Sequence, residues 1–526
     1  MRTLLVGALL LLTSACSTIN TGSSNYVSVD EKFNTIRQNT PMLVDFLDDF
    51  PKGADLHNHA SGAAYIEYGL IYTDQKGFFY DLKKLQIVKE DTGKADTTFT
   101  QYPEDSLQHS AGCSGWMKDR PCLIAVEDLL VNDEQLQEYL DVVSVRGWHE
   151  NTTNGLDHFF NAFSHKVSES KNQSLARILA RNHSQGVRYV ELMTSAISWD
   201  VMEALQKLVP EDSFDIANLE ESYAKIASYL DSPDLKRGVI SYMDKREKAV
   251  AAILREKYNL TIAGDRPDVV VRYIPQLYRM TSLYSIFISA AANLKASTLD
   301  ERIVATNMVQ EESGIPSMVN FDNQMKILDF FWKKFGEPKI ALHAGELVLR
   351  ESPLEPMRDR ISKSIAMGHA SRIGHGISIA WETDTENTLK MMRDKGVAVE
   401  ICLSSNDIIL GISGKDHPIS LYIQAGVPIS ISTDDEGISR SNLTMEYVKA
   451  VREQGLDYES LKQIAKNGLQ YSFLDGKGIY STDGSVKEKY REFLSGELPG
   501  LTEVETKAYL QIRHERDLAT FESKVL

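Results

Sequence analysis

Short apolar runs rich in β-branched residues alternate with helical patterns through most of this 526-residue chain. Strands that alternate with helices form parallel sheets, because each parallel connection needs a crossover segment. We predict eight strands, which favours a closed α/β fold, a (β/α)8 TIM barrel, over an open sheet. The predicted strands are Ala54–His59, Val187–Met193, Val269–Leu277, Ser317–Phe321, Lys339–His343, Ser371–His375, Val397–Cys402 and Pro428–Thr433.

The segments around these strands complete the predicted organisation. Residues 28–475 form the barrel, and an excursion of about residues 60–180 is inserted after the first strand. Residues 476–526 are charged and helical, and we predict an appended extension. Apolar periodicity predicts further helices outside the strands. These are residues 28–48, Leu175–Gln185, Asp322–Phe335, Glu386–Lys395 and Ile419–Ala425.

The N-terminus has the pattern of an export signal. Arg2 precedes an apolar run, Leu4–Leu12, that is too short to span a bilayer, and small residues then precede Cys16. We predict a signal peptide over residues 1–15 and a lipidated Cys16, followed by a polar, flexible tether over residues 16–27. A plain secretory signal is the alternative. Serine after Cys16 favours the periplasmic side of a bacterial outer membrane.

Cysteine usage agrees with an oxidising compartment. Cys113 and Cys122 lie close together in a loop-like segment, and we predict a disulfide between them, with two unpaired thiols as the alternative. Cys402 ends an apolar strand and is predicted to be a buried free thiol. The net charge of −17 argues against a nucleic-acid partner and leaves a small-molecule substrate open.

Titratable residues gather where several predicted strands end. Active sites of such barrels lie at the carboxyl ends of the strands, and a buried charge there must be paired or bind a metal. In a strand, residues two apart share a face, so His57 and His59 point to the same side. The polar strand ends are His57–His59, His343–Glu346, Arg372–Gly376, Ser404–Asn406 and Ser432–Asp435.

Three imidazoles and one carboxylate suit Zn²⁺ and leave a position for water. We assign His57, His59, His343 and Asp434 as the metal ligands. Zinc lowers the pKa of its water toward neutrality.

Three further residues supply groups for catalysis. Glu346, three residues past a ligand, is placed as a proton donor or shuttle. His375 can hydrogen-bond the water or stabilise negative charge on it, and Asp435 can bind substrate or assist the attacking water.

These motifs, in this order over residues 50–470, resemble the adenosine deaminase family of the amidohydrolase superfamily. The resemblance implies that Glu346 protonates purine N1, that His375 positions and deprotonates the water, and that Asp435 holds the purine near N7. It implies deamination at C6 of adenosine or 2′-deoxyadenosine, which gives the 6-oxo purine and ammonia. The export signal and the cysteine-bearing insertion look more like the secreted, growth-factor-related branch. That branch carries an N-terminal dimerisation region, but only one predicted helix precedes the barrel here.

The chain departs from the family pattern near the substrate. Ser61 stands where the family has an acidic residue that contacts the ribose 5′-hydroxyl, and Asn320 stands where it has a glycine whose N–H meets purine N3. Glu436 and Leu403 replace prolines in two loops. We also place Phe160 and Phe163, together with Phe159, as candidates for a lid over the base.

Several alternatives remain open from the sequence. One is a related aminohydrolase for adenine, a modified nucleoside or a nucleotide; another is a lipoprotein that binds nucleosides without turnover; a third is a surface-anchored adhesive protein. Glu346, His375 and Asp435 speak against the binding protein, because binding needs no proton shuttle. The expected partners are a small purine nucleoside and, through the lipid anchor only, a membrane. The oligomeric state is left open.

Overall fold

The computed structural model describes residues 28–82, 84–90, 100–102, 108–109, 122–148, 154–481 and 484–526. The predictions for the signal peptide, the lipidated Cys16 and the tether fall outside the described residues, as does Cys113 of the predicted Cys113–Cys122 disulfide. Cys402 is a buried thiol, as predicted. In the part of the chain that the structure describes, no helix has both the length and the apolarity that a membrane span requires.

Eight strand positions form the predicted barrel within the described residues. All of their pairings are parallel, and the third position is interrupted at Pro275. The strands are Gly53–His59, Val187–Met193, Val270–Ile274 with Gln276–Tyr278, Thr306–Val309, Ile340–Ala344, Ala370–His375, Ala398–Ile401 and Ile429–Ile431.

The last strand closes on the first through residues of the predicted metal site. Asn58 and Asp434 form a parallel bridge. The Asp434 N–H donates to the carbonyl of His57 at 2.8 Å, and the His59 N–H donates to the carbonyl of Asp434 at 3.0 Å. Barrel closure therefore fixes the two histidines and the aspartate relative to one another.

The fourth strand was predicted in the wrong place. It is Thr306–Val309, whereas Ser317–Phe321 lies inside the helix Ile315–Lys334. The true strand is four residues long and contains the polar Asn307, so its apolar signal is weak. Pro316 in the first turn starts the helix that carries the apolar run.

Helices cover the outside of the barrel, and the predicted helices after strands one, four, six and seven are confirmed. The barrel helices are Lys171–Ser184, Trp199–Leu208, Leu219–Leu230, Pro233–Tyr258, Leu283–Ser297, Ile315–Lys334, Leu354–Met357, Arg360–Ala366, Thr385–Lys395, Leu403–Leu410, Ile419–Gln424, Glu436–Ser439, Leu443–Arg452 and Tyr458–Gln470.

Two helices, not one, precede the barrel. The first, Val29–Ile36, has a capping box at Ser28, and the second, Thr40–Asp49, begins at the N-cap Asn39. The Asn39 side chain accepts a hydrogen bond from the N–H of Met42, which favours a new start there over a continuous helix.

The segment inserted after strand one has a small core of its own. A sheet of short strands packs with helices around buried residues such as Tyr80, Leu129 and Tyr139. Its strands are Phe79–Asp81, Gln86–Glu90, Thr100–Tyr102, Gln108–His109 and Cys122–Ala125, and its helices are Ala60–Ala63, Ile66–Asp74, Val126–Val131, Asp133–Val142 and Gly155–His165.

The C-terminal helices, Glu488–Ser495 and Thr506–Val525, are packed against the barrel. Tyr509 and Leu510 form a buried cluster with Ala54 and Leu56 at the start of strand one. The helix Thr506–Val525 therefore supports the end of the barrel that lies away from the strand carboxyl ends.

Candidate active site

The four predicted metal ligands converge at the carboxyl ends of strands one, five and eight. One ligand atom from each of His57, His59, His343 and Asp434 lies within 4.8 Å of the others, and all four residues are buried. Asp434 Oδ1 is 3.5 Å from His57 Nε2 and 3.4 Å from His59 Nε2, and His59 Nε2 is 3.2 Å from His343 Nε2.

The far nitrogen of each imidazole is held by a second residue. His57 Nδ1 lies 2.6 Å from Glu400. Two side-chain amides hold the other rings at 2.9 Å: Gln276 at His59 Nδ1 and Asn307 at His343 Nδ1. The Nε2 atoms of the rings face one point, the usual arrangement for histidines that bind a metal. The Gln276 group at His59 Nδ1 is the amide NH₂, so metal binding at His59 Nε2 requires this amide to turn its oxygen toward Nδ1.

The donor set fits a divalent metal ion. The fully buried His57 Nε2 has no hydrogen-bond partner among the described residues. Its ring centroid is 4.5 Å from that of His343 and 5.2 Å from that of His59. A buried polar atom without a partner is costly, and a cation among the three nitrogens and the carboxylate would satisfy it.

Non-glycine residues in the left-handed region of backbone space mark the strand ends. The φ angles are 81° at Gln310, 70° at His375 and 61° at Asp434. Such conformations cost free energy for residues with a Cβ and persist where the surrounding structure imposes them. Here they turn the side chains at the ends of strands four, six and eight into the barrel mouth.

A buried ion network supports the metal site from below. Arg372 donates from Nε to Glu400 at 2.6 Å and from Nη2 to Glu191 at 2.5 Å, and all three side chains are at most 1% exposed. Burial alone would raise the pKa of Glu400, but Arg372 and His57 lower it to about 2. Glu400 is therefore a carboxylate that accepts from His57 and holds its ring.

Glu346 is placed beside the ligands as a proton donor. Its backbone N–H donates to the buried carboxylate of Glu312 at 2.7 Å, while its Oε1 has no hydrogen-bond partner within the described part of the chain. Burial and the carboxylates of Asp434 and Glu312 raise the pKa of Glu346 well above its usual value. Glu346 therefore favours its protonated form.

Asp435 is a second buried carboxyl group at the cavity. Burial, followed by the charge of Asp434, raises the pKa of Asp435 well above its usual value. Its Oδ1 has no hydrogen-bond partner among the residues described. Gly62 makes room for it, because a Cβ at position 62 would lie 1.6 Å from that oxygen.

A chain of hydrogen bonds defines the tautomer of His375. The Ile419 N–H donates to His417 Nδ1 at 3.2 Å, so the proton of His417 sits on Nε2, which is 3.2 Å from Asn406 Oδ1. The Asn406 amide then donates to His375 Nδ1 at 2.9 Å.

His375 therefore carries its own proton on Nε2. That atom lies 3.5 Å from Glu346 Oε1 and 3.9 Å from Asp434 Oδ2. Burial lowers the pKa of His375 to about 3, so the ring is neutral and is a hydrogen-bond donor toward the site.

A cavity of about 660 Å³ opens beside these groups. Of the residues predicted to contact substrate, Ser61, Phe160, Phe163 and Asp435 line it, and Phe159 lies with them. The prediction for Asn320 is wrong: this residue lies on the helix Ile315–Lys334, because the fourth strand was misplaced.

Sequence reasoning missed several residues of this site. Gln310, which follows the true fourth strand, lines the cavity, as do two lysines of the inserted segment, Lys166 and Lys171. Glu400 had a detectable signal, since it is a charged residue inside an apolar strand, Ala398–Ile401. Nothing local marks Lys166 or Lys171, because their contacts come from distant parts of the chain.

Comparison with known proteins places this site in a family. The sequence model described as "Adenosine deaminase" matches residues 230–482, which include the fifth to eighth strands and every proposed site residue that they carry. Residues 230–482 of this chain match the adenosine deaminase family.

Curated relatives match over part of their length. The aminodeoxyfutalosine deaminase of Streptomyces coelicolor is 35% identical over 137 residues, which are 26% of this chain and 33% of that protein. The adenosine deaminase of Escherichia coli is 27% identical over 178 residues, 34% of this chain and 48% of that enzyme. The chain thus spans a third to about half the length of these curated relatives.

Among solved structures, the N6-methyl-AMP deaminase of Arabidopsis thaliana is similar to this chain with a TM-score of 0.47. The two chains are 16% identical, and the match covers 82% of this chain and 95% of the other.

Proposed function

We propose that this protein is a zinc-dependent aminohydrolase that deaminates an aminopurine nucleoside at C6, with adenosine and 2′-deoxyadenosine as the first candidates. One observation carries the proposal: two buried carboxyl groups, Glu346 and Asp435, flank a set of three imidazoles and one carboxylate, and each has an oxygen without a hydrogen-bond partner among the described residues. A structural site needs no unpartnered acids beside its ligands, whereas hydrolysis of an amine at neutral pH needs proton donors.

The ligand set suits zinc. His57, His59, His343 and Asp434 would hold it, and these residue types are typical of zinc sites that keep a position open. Zinc bound there would lower the pKa of a water molecule toward neutrality.

The two raised carboxyl groups match the two acceptors of the purine on either side of C6. Ring atoms N1 and N7 are both hydrogen-bond acceptors, so each needs a donor. Glu346 holds its proton for N1 as the water attacks C6, and Asp435 donates to N7 and fixes the ring. The proton that the attacking water loses returns to the Glu346 carboxylate, and N1 keeps the proton that Glu346 gave. The proton of the new C6 hydroxyl group passes to the amino group as the C6–N bond breaks, so the products are the 6-oxo purine and ammonia.

His375 acts as a donor in this mechanism. Because its Nε2 carries the proton, the neutral ring stabilises negative charge on the attacking oxygen and does not remove the first proton. This favours charge stabilisation over the general-base role that the family resemblance implies.

The test is ammonia release from adenosine by the purified, zinc-loaded chain, beside Glu346→Gln and the matched control Glu355→Gln, an exposed residue on the helix Leu354–Met357. We expect one ammonia per adenosine from the parent and the control. We expect a loss of about 10²–10⁴-fold in kcat/KM for Glu346→Gln. Equal turnover by Glu346→Gln, or zinc binding without turnover of any aminopurine, would contradict the proposal.

A second candidate is an aminohydrolase for a modified nucleoside or a nucleotide. It is favoured by the uncharged Ser61 at the cavity wall, whose carbonyl accepts a hydrogen bond from Lys166. Comparing kcat/KM for adenosine, adenine and adenosine 5′-monophosphate distinguishes the two candidates.

We also propose that the chain is exported and lipid-anchored at Cys16, and that Cys113 and Cys122 form a disulfide. The apolar run Leu4–Leu12 and the small residues before Cys16 support this proposal. Incorporation of labelled fatty acid that Cys16→Ser abolishes would test the anchor, and thiol alkylation with and without reductant would test the disulfide.

A further inference from the structure

The active-site cavity contains positive charge that the proposed deamination does not use. Lys166 and Lys171 both line it, as does Ser195, the second residue after strand two. The Lys171 ammonium donates to Ser195 Oγ at 2.7 Å, and Arg246 Nη1 donates to the Ser195 carbonyl at 2.6 Å. We call Lys166, Lys171, Ser195 and Arg246 the lysine cluster.

The cations of this cluster form no close ion pairs. Burial lowers the pKa of Lys166 to about 8, and the charge of Asp435 opposes that shift. Across the described residues, neither lysine nor Arg246 forms an ion pair with a carboxylate: Lys166 donates to the Ser61 carbonyl, and Arg246 donates to the Ser195 carbonyl and the Tyr242 hydroxyl. The chain carries a net charge of −17, so unpaired cations clustered at a cavity are unexpected.

The acidic residue nearest in sequence does not neutralise the cluster. Glu169 also lines the cavity, but its carboxylate is paired with Arg177 Nε at 2.8 Å and Nη2 at 3.3 Å. Burial, followed by the charge of Arg246, lowers the pKa of Lys171 to about 8. Lys171 therefore stays mostly protonated at neutral pH, and a bound anion would stabilise its charged form.

A helix start adds to the positive potential. The helix Lys171–Ser184 begins at the cavity wall with Lys171 and Ser174 among the lining residues. Its N-cap, Ser170, makes no capping hydrogen bond from its side chain. Free N–H groups in a first turn attract anions, and two lysine side chains and a buried arginine reinforce that preference.

The position of the cluster fits one end of the substrate. Strands one and two, which Ser61 and Ser195 follow, lie across the eight-stranded barrel from strands five and six, which carry Glu346 and His375. With purine C6 and N1 at Glu346, the N9 substituent extends from the far side of the ring into the rest of the cavity.

We propose that the lysine cluster is an anion subsite and that the substrate is an aminopurine nucleoside whose N9 substituent carries a negative group, a phosphate or a carboxylate. This inference rests on the proposed aminohydrolase function and names the class of its substrate. Lys171 and Lys166 bind the anion through charge-assisted hydrogen bonds, and Arg246 holds Ser195 and adds charge.

The test compares adenosine, adenosine 5′-monophosphate and adenosine 5′-carboxylic acid as substrates of the parent, Lys171→Gln and the control Lys207→Gln. Lys207 is 72% exposed and paired with Glu203 on the helix Trp199–Leu208. We expect the parent to prefer an anionic substrate in kcat/KM. We expect Lys171→Gln to reduce the ratio of anionic to neutral substrate about 10–100-fold, and Lys207→Gln to leave it unchanged. Which of the two anions is preferred identifies phosphate or carboxylate.

Calorimetric binding of adenosine 5′-monophosphate and of the 5′-carboxylate separates this inference from the function on which it rests. Binding of either anion that weakens in Lys171→Gln but not in Lys207→Gln, without turnover of any substrate, would support the subsite and refute the aminohydrolase. Turnover of adenosine with no preference for either anion would refute the subsite and keep the aminohydrolase. Anion binding that is the same in parent and Lys171→Gln would also refute the subsite.

Discussion

Replacing Glu400 by glutamine tests whether the buried ion network controls the metal site. In the parent, one carboxylate oxygen accepts from Arg372 Nε and the other accepts from His57 Nδ1, both at 2.6 Å. Glutamine has nearly the same shape but one oxygen and one NH₂ group, so it can accept from only one of these donors through its oxygen. The other donor then faces an NH₂ group.

The arginine is expected to keep the oxygen, since it is charged in every state of the protein and the imidazole is not. The amide NH₂ then donates to His57 Nδ1, and the proton of His57 moves to Nε2, where it blocks metal binding. Loss of the hydrogen bond between a metal-binding histidine and the residue that holds its other ring nitrogen weakens metal affinity by about 10–100-fold. The lost charge-assisted hydrogen bond also lowers the free energy of unfolding by about 1.5–3 kcal/mol.

Zinc affinity is measured by competition with a chromophoric chelator, and stability of the metal-free chain by urea unfolding. Glu386→Gln, an exposed substitution on the helix Thr385–Lys395, is the control and should match the parent in both. If Glu400→Gln binds zinc within twofold of the parent, the reasoning about the His57 tautomer is refuted.

Other predictions concern the catalytic groups. The pKa values of Glu346 and Asp435 are raised and both must be protonated to act, so kcat/KM should fall as the pH rises through those pKa values; a pH profile that only rises would contradict this. Asn406→Leu removes the donor to His375 Nδ1 and should lower kcat about tenfold or more with zinc content unchanged; an unaltered kcat would contradict the assigned tautomer. Gly62→Ala would push its Cβ into the Asp435 carboxyl group. The main effect should be a higher KM for the purine, with a smaller effect on stability, which the melting temperature from differential scanning fluorimetry would check.

The part of the site that follows strand periodicity was predictable from sequence. His57 and His59 are two residues apart on a strand, so their side chains share a face. His343 and Asp434 end apolar strands, where a buried charge must be paired or bind a metal. The structure brings these four side chains together as predicted. Seven of the eight strands were predicted for the same reason, because apolar β-branched runs are a local signal.

The remainder depends on contacts between distant residues. Thr306–Val309 is too short and too polar to be distinguished as a strand, which led to the wrong assignment of Asn320 as a substrate contact. Lys166 enters the cavity only because the inserted segment folds back over strand one. The tautomer of His375 is set by a hydrogen-bond chain that ends at the backbone of residue 419, which no local pattern reveals.

The most direct test of the central claim is the fate of oxygen during turnover. The zinc-loaded chain would be incubated with adenosine in oxygen-18 water, and the product would be examined by mass spectrometry while ammonia is measured in parallel. The account predicts a 6-oxo purine that carries one labelled oxygen at C6, with one ammonia released for each. Adenosine that is recovered unchanged while zinc is bound, or a product without the label, would contradict it.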